Sequence, residues 1–161
     1  MQKRKAKVKI LESDIKRGLA INVLRRGGRA HLFMLYILLV KKNADNWNGK
    51  LLSQSSLTEL ARHHIFPKEY LENELNIDDP DDRELLINNL GNITFIHKDI
   101  NSEIGTTPPE TYMKKYIDSA KKHFISVDEN LWKLDQYQTF LGYRIKEIYR
   151  VGKETFGEIF E

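Results

Sequence analysis

The most apolar stretch of the chain, residues 32–40 (LFMLYILLV), sets the first limit on the fold. Its nine residues are too few to span a bilayer, because a membrane helix needs about 20 apolar residues. The stretch lies within residues 29–42, which end in Lys41 and Lys42, and two cations suit the negative end of a helix dipole. We therefore expect a deeply buried helix in a globular protein with no membrane partner.

Composition narrows the class of protein further. The 161 residues include no cysteine, which excludes a disulfide framework and a thiolate zinc site and fits a reducing cytoplasm. The basic start lacks the apolar run of a signal peptide, and it is either a solvated tail or an arm that contacts phosphates. The net charge of +3 is compatible with a polyanionic partner. The length predicts one domain.

Helical patterns at both ends of the chain flank a central segment of different character. Helices are predicted from Ser13 toward Arg26, at residues 29–42, at 67–75, from Lys98 onward, and over most of 109–161. Strands are predicted at residues 57–63, a short run that leads into Ile65-Phe66-Pro67, and at residues 92–97, where β-branched and aromatic residues concentrate. Loops are predicted at residues 43–56 and at the acidic segment 78–82. The sequence thus predicts a strand–loop–strand–helix unit framed by helices.

A pair of adjacent histidines, His63 and His64, stands at the end of the first predicted strand. Neighbouring side chains within a strand point to opposite faces, but where the backbone turns both can reach one site. One imidazole can then bind a divalent ion while the other takes a proton from water. Taken alone, such a pair more often means two structural or surface histidines.

The residues that follow this pair give it a context. The sequence NLGNIT begins at Asn89, and DIN begins at Asp99. With these segments the chain resembles the HNH branch of the His-Me finger endonucleases. The resemblance is closest to the DUF1524 nuclease domain at the C-terminus of modification-dependent restriction and phage-defence proteins of the GmrSD kind. It covers residues 60–115 well and the flanking helices loosely, and it includes the stretch from Asn101 through Pro108-Pro109 to Tyr112.

The resemblance implies a role for each motif residue. His64 would be the general base, and His63 would be a metal ligand where the family often has an aspartate. Asn101 would be the second ligand, with Asp99 as a further or water-mediated one. Asn92 would steady the loop and orient the catalytic imidazole, through its side chain or its backbone carbonyl.

The implied cofactor is one divalent metal ion, Mg²⁺ or Mn²⁺. Because an imidazole at position 63 is neutral, Ni²⁺ or Zn²⁺ is also compatible, whereas a carboxylate from Asp99 would favour Mg²⁺. Three cations flank the motifs, and we expect them to contact the DNA backbone: Arg62, Lys68 and Lys98.

The resemblance implies an α+β fold, mostly helical, with a central ββα-metal finger (57–115) between helices at 1–56 and 116–161. It implies a metal-dependent DNA endonuclease of restriction or phage defence, located in the cytoplasm. We expect a module of a longer protein with an N-terminal nucleotide-hydrolysing or recognition domain. Cutting both strands would need a homodimer or two successive events. The alternatives are a catalytically inactive nucleic-acid-binding domain that keeps the finger, and a helical interaction module whose histidines only pack.

The remaining histidines are expected to be structural or exposed. His31 opens the apolar helix as a structural residue, and His97 ends the second strand close to the site. His123 follows two lysines and is predicted to lie on the surface. Trp47 and Trp132 are expected to pack inside the protein rather than to stack on bases.

Overall fold

Helices make up most of the chain, and two short strands lie between them. The computed structural model describes Leu24 and residues 28–157. The helices are α1 (Arg29–Lys41), α2 (Lys68–Glu74), α3 (Pro80–Ile87), α4 (Lys98–Ile104), α5 (Pro109–Tyr112), α6 (Ile117–Lys122) and α7 (Tyr137–Phe156). The strands are β1 (Leu60–His64) and β2 (Ile93–His97). Short 3₁₀ turns lie at Leu52–Gln54, Leu90–Asn92, Met113–Tyr116, Glu129–Trp132 and Leu134–Gln136. The predicted α+β class, mostly helical, is confirmed.

The two strands form an antiparallel pair that runs directly into a helix. Leu60 lies opposite His97, and His64 lies opposite Ile93. β2 continues into α4 without a break, and α4 packs on both strands. The strands and the following helix were therefore predicted correctly, although β1 begins later than the predicted start at residue 57. The helix predicted at residues 67–75 is α2.

Helix α1 is the buried apolar helix predicted at residues 29–42. Leu32, Leu35, Leu38 and Leu39 are buried, since spacings of three and four residues place side chains on one helical face. This face packs against β2 and α7. The helix predicted from Ser13 toward Arg26 lies almost wholly outside the described residues, as does the basic start.

The acidic segment at residues 78–82 was predicted to be a loop, and this is wrong for its second half. Asp79 caps helix α3, because its carboxylate accepts hydrogen bonds from the backbone N–H groups of Asp81 and Asp82. Pro80 occupies the first turn, where its missing N–H costs nothing. Acidic residues near a helix N-terminus are favoured by the dipole, so the composition that indicated a loop instead marks a helix start.

The final third is mainly helical, as predicted, and hydrogen bonds from its long helix α7 hold the turn before β2. Arg144 of α7 is fully buried, and its Nη1 donates to the carbonyls of Leu90, Gly91 and Ile93 at 3.1, 2.9 and 2.7 Å. A Cβ atom added at Gly91 would lie 3.1 Å from Leu141 Cδ2 and 3.3 Å from its carbonyl oxygen. Glycine is therefore needed at position 91 because α7 approaches the backbone closely.

Residues 43–56 form the predicted loop, interrupted by one 3₁₀ turn and by an isolated β-bridge between Asp45 and Leu51. Trp47 and Trp132 are both buried, as expected of packing residues. Across Leu24 and residues 28–157, no helix is long and apolar enough to cross a membrane.

Candidate active site

The two adjacent histidines lie at the end of β1 and line one open cleft together with Asn101 of α4. His63 is only 2 % exposed, whereas His64 is partly exposed. The cleft has a volume of about 350 Å³ and is lined by Arg62, His63, His64, Pro67, Lys68, Glu69, Asn101, Ser102, Gly105 and Thr106. Packing of α4 on the paired strands thus brings the first and last motifs together.

His63 has a polar partner at each ring nitrogen. Its Nδ1 lies 2.9 Å from Oδ1 of Asn101, and its Nε2 lies 3.1 Å from the hydroxyl of Tyr112. The same hydroxyl donates to the carbonyl of Ile65 at 2.6 Å. Burial lowers the pKa of His63 to about 4, against an opposing effect of its contact with Asn101. The ring is therefore neutral at pH 7.

His64 is oriented by a residue that sequence reasoning missed. Its Nε2 lies 3.0 Å from Oδ1 of Asn88, and since this oxygen can only accept, Nε2 carries the proton and donates it. Burial lowers the pKa of His64 below its ordinary value of 6.5, although the bond to Asn88 opposes this shift. A neutral ring held in this way keeps a lone pair on Nδ1. Asn88 stands just before the NLGNIT segment, which is the only sequence signal for its role.

Asn92 was expected to steady the loop and to orient His64, and its side chain makes hydrogen bonds to the loop backbone. The N–H of Phe66 donates to its Oδ1 at 2.8 Å, and its Nδ2 donates to the carbonyls of Phe66 and Ile87, both at 3.1 Å. Its own carbonyl accepts from the N–H of Ile65 at 2.8 Å. Asn92 thus fixes the segment that follows the histidine pair, and Asn88 makes the contact with the imidazole.

Three of the predicted site residues lie outside the lining of this cleft: Asn92, Asp99 and Lys98. The side chain of Asp99 is 76 % exposed and lies in the first turn of α4, with its carboxylate 3.6 Å from Nδ1 of His97. His97 caps this helix by accepting from the N–H of Asp99. Lys98 is exposed beside them. The structure therefore gathers Arg62 and Lys68 at the cleft, and it places Asp99 and Lys98 away from its lining.

His123 was predicted to be a surface residue, and this is wrong. The residue is fully buried, with Nδ1 2.6 Å from Oγ1 of Thr94 and Nε2 2.7 Å from the carbonyl oxygen of Asp45. Burial lowers its pKa to about 4. Two preceding lysines suggested a solvated face, but the left-handed backbone of Phe124 (φ 61°) ends α6 and turns the chain inward at this point.

The pair formed by His63 and Asn101 fits a divalent ion. Two ligand atoms that hold one ion at right angles, each at about 2.1 Å, stand about 3 Å apart, and the observed separation is 2.9 Å. Among the described residues, no group of three or more His, Cys, Asp or Glu side chains could hold a metal. An ion here would therefore have one imidazole and one amide oxygen as protein ligands, with water or substrate completing its shell.

One comparison with known proteins, the one against family models, finds a match. Neither the curated proteins nor the solved structures include a match to this chain. A family model described as the C-terminal domain of GmrSD restriction endonucleases matches residues 10–139. The matched range contains both strands, the cleft and helices α1 to α6. The chain belongs to the family of GmrSD restriction endonuclease C-terminal domains, which indicates a nuclease role in restriction.

Proposed function

We propose that this domain is a metal-dependent DNA endonuclease of the HNH type, built on a ββα-metal finger formed by β1, β2 and α4. One observation carries the proposal. His63 and Asn101, separated by 38 positions in sequence, meet at 2.9 Å in the same open cleft that His64 lines. Membership of a restriction endonuclease family supplies the reaction class.

His64 is the proposed general base. Its Nε2–H is held by Asn88, so Nδ1 is the nitrogen that can accept a proton from water. Burial and the nearby cations Lys68 and Arg62 keep its pKa below 6.5, which leaves the ring in its basic form at neutral pH. A positioned base of this kind contributes about 10²- to 10⁴-fold to a rate.

His63 and Asn101 are the proposed metal ligands. A divalent ion bound there supplies Lewis acidity that offsets charge on the phosphate oxygens and on the departing 3′ oxygen. Both ligands are neutral, and imidazole suits Mn²⁺, Ni²⁺ or Zn²⁺ better than Mg²⁺. We therefore expect Mn²⁺ to support activity at lower concentration than Mg²⁺. Because Asp99 lies outside the cleft lining, we no longer assign it a ligand position.

Arg62 and Lys68 are the proposed phosphate contacts at the cleft. Arg62 is exposed, and Lys68 faces Glu72 at 3.5 Å in a solvent-exposed pair. Such a pair contributes little to stability, so Lys68 is free to turn toward a phosphate at small cost. Neither contact reads a base. Sequence or modification specificity would come from another domain of a longer protein, and cleavage of both strands would need two copies or two events.

A plasmid-nicking assay tests the proposed function directly. Wild-type protein is expected to nick supercoiled DNA with Mn²⁺ and to stop when the metal is chelated. His64→Ala is expected to be slower by about 10²- to 10⁴-fold. His97→Asn is the matched control, because it replaces a neighbouring histidine outside the cleft with another helix-capping residue. Cleavage retained by His64→Ala would exclude His64 as the base, and DNA binding without cleavage by wild type would favour an inactive binding domain.

A further inference from the structure

We propose that Tyr112 is a positioning residue that keeps the proton of His63 on Nε2, so that the Nδ1 lone pair faces Asn101 as a metal ligand. This inference rests on the proposed function, because it deepens the assignment of His63 as a ligand. Tyr112 lies in α5 and is 7 % exposed. Its ring centroid lies 5.9 Å from that of His63.

The hydroxyl of Tyr112 has one proton, and the distances show where it goes. The carbonyl of Ile65, at 2.6 Å, can only accept, so the phenol donates to it. Nε2 of His63 lies farther away, at 3.1 Å. The phenol oxygen then accepts from Nε2–H.

The consequence for the other ring nitrogen follows from the count of protons. A neutral imidazole has one N–H, and Tyr112 places it on Nε2. Nδ1 is then an acceptor, and it faces Oδ1 of Asn101, another acceptor, at 2.9 Å. Two acceptors at that distance repel each other unless the amide is turned over or a cation lies between them. In this tautomer a bound cation would relieve the repulsion without a turn of the amide.

The acceptor that fixes Tyr112 is itself held in place. Ile65 is fully buried, and its N–H donates to the carbonyl of Asn92 at 2.8 Å. A continuous series of hydrogen bonds thus runs from Asn92 through Ile65 and Tyr112 to His63. Partners beyond the ligands commonly fix the tautomer of a ligating histidine, and their loss weakens metal binding by about 10- to 100-fold.

Removing the hydroxyl should reverse the tautomer. In Tyr112→Phe the buried Nε2–H of His63 loses its acceptor, whereas Oδ1 of Asn101 remains within reach of Nδ1. The proton is then expected to move to Nδ1, where Asn101 accepts it. That tautomer has no lone pair available for a metal on the cleft side.

Tyr116 provides a matched control. It is also 7 % exposed, and its ring stacks on Trp47 with centroids 5.1 Å apart. Its hydroxyl has no hydrogen-bond partner within the described part of the chain. Tyr116→Phe therefore removes the same atom from a similar environment without touching His63.

Two measurements on the whole chain test the inference. Two-bond ¹H–¹⁵N NMR of the metal-free protein, assigned with His63→Gln, reads the tautomer, and calorimetric titration with Mn²⁺ reads affinity. Wild type and Tyr116→Phe should show the Nε2–H form, whereas Tyr112→Phe should show the Nδ1–H form and bind Mn²⁺ about 10- to 100-fold more weakly.

Several results would overturn it. An Nδ1–H form in wild type contradicts the assignment even if Tyr112→Phe fails to fold. An unchanged tautomer in a folded Tyr112→Phe also contradicts the assignment. A loss of Mn²⁺ affinity in Tyr116→Phe that equals the loss in Tyr112→Phe contradicts it too. Failure of the proposed function looks different: the wild-type tautomer would be as expected and would reverse in Tyr112→Phe, yet DNA would not be cut with Mn²⁺ bound.

Discussion

Two buried histidines both lie against the ring of Trp47, and their hydrogen-bond partners differ. The rings of His63 and His123 are 5.6 and 5.7 Å from that of Trp47, and burial lowers the pKa of each to about 4. At His123, Nε2–H donates to the carbonyl of Asp45, so Nδ1 is free to accept from the hydroxyl of Thr94.

In the arrangement that we propose for His63, only one ring nitrogen has a matching hydrogen-bond partner. In the tautomer that we propose, Nε2–H of His63 donates to the hydroxyl of Tyr112, and Nδ1 faces the carboxamide oxygen of Asn101 rather than a donor. The comparison teaches that burial and a lowered pKa do not by themselves mark a functional histidine. The ligand role that we propose for His63 depends on its Nδ1 having no proton donor beside it, whereas Nδ1 of His123 accepts from the hydroxyl of Thr94.

The largest expected effect comes from removing Oδ1 of Asn101, the proposed metal ligand. Asn101→Leu keeps the size of the side chain but removes Oδ1, and we expect DNA cleavage to fall by about 10³-fold, because several kcal/mol of charge stabilisation depend on the ion. The free energy of unfolding in urea should change little, since a repulsive contact is lost with the ligand. A loss of stability that matches the loss of activity would mean that Asn101 is structural.

A large effect on stability, rather than on activity, is expected at His123, where both ring nitrogens have hydrogen-bond partners. The pKa of His123 is about 4 in the folded protein and 6.5 as its reference value. Between these values the unfolded chain binds a proton that the folded chain does not, so the free energy of unfolding falls as pH falls, by about 1.4 kcal/mol per pH unit. Urea titrations of His123→Gln should therefore give a flatter profile over this window than wild type. Parallel profiles would contradict a neutral, buried His123.

A smaller effect is expected when the hydrogen bond between Thr94 and His123 is removed. Thr94→Val keeps the branched shape of the side chain but leaves Nδ1 of His123 without its donor. An unpaired buried acceptor costs about 1 to 3 kcal/mol, which urea denaturation can measure. Metal-dependent cleavage by the folded fraction should be unchanged, because the cleft contains neither residue. Cleavage lost together with stability would show that the two histidine networks act as one.

The smallest effect compares cations inside and outside the cleft. Arg62→Gln should weaken DNA binding about two- to fivefold and reduce the slope of affinity against salt by about one, as expected for one lost phosphate contact. Lys98→Gln should change neither, because Lys98 lies outside the cleft lining. Fluorescence anisotropy with a labelled duplex measures both, and equal effects of the two substitutions would argue against this cleft as the DNA site.

Local patterns predicted the elements that carry the site. The family resemblance identified His63, His64 and Asn101 as partners, whereas an apolar run with helical spacing marked α1 and a β-branched run marked β2. These signals work because each depends on neighbours in sequence. Pro80 and Asp79 also had a local meaning as a helix start, which the acidic composition of the segment hid.

Contacts between distant segments could not be predicted in the same way. Asn88 reaches His64 across 24 positions, and Tyr112 reaches His63 across 49, so both roles depend on how α3 and α5 pack. His123 follows two lysines, yet its buried ring contacts Thr94 and the carbonyl of Asp45, which lie 29 and 78 positions away in sequence. Tyr112 lies within the segment that carries the family resemblance, but the role that we propose for it depends on its distances to Ile65 and His63.

The most direct test of the central claim is anomalous diffraction from crystals soaked in Mn²⁺. The account predicts one strong peak about 2.2 Å from both Nδ1 of His63 and Oδ1 of Asn101, on the cleft side that His64 lines. A well-ordered cleft with no peak there, or with Mn²⁺ bound instead at Asp99 and His97, would contradict it.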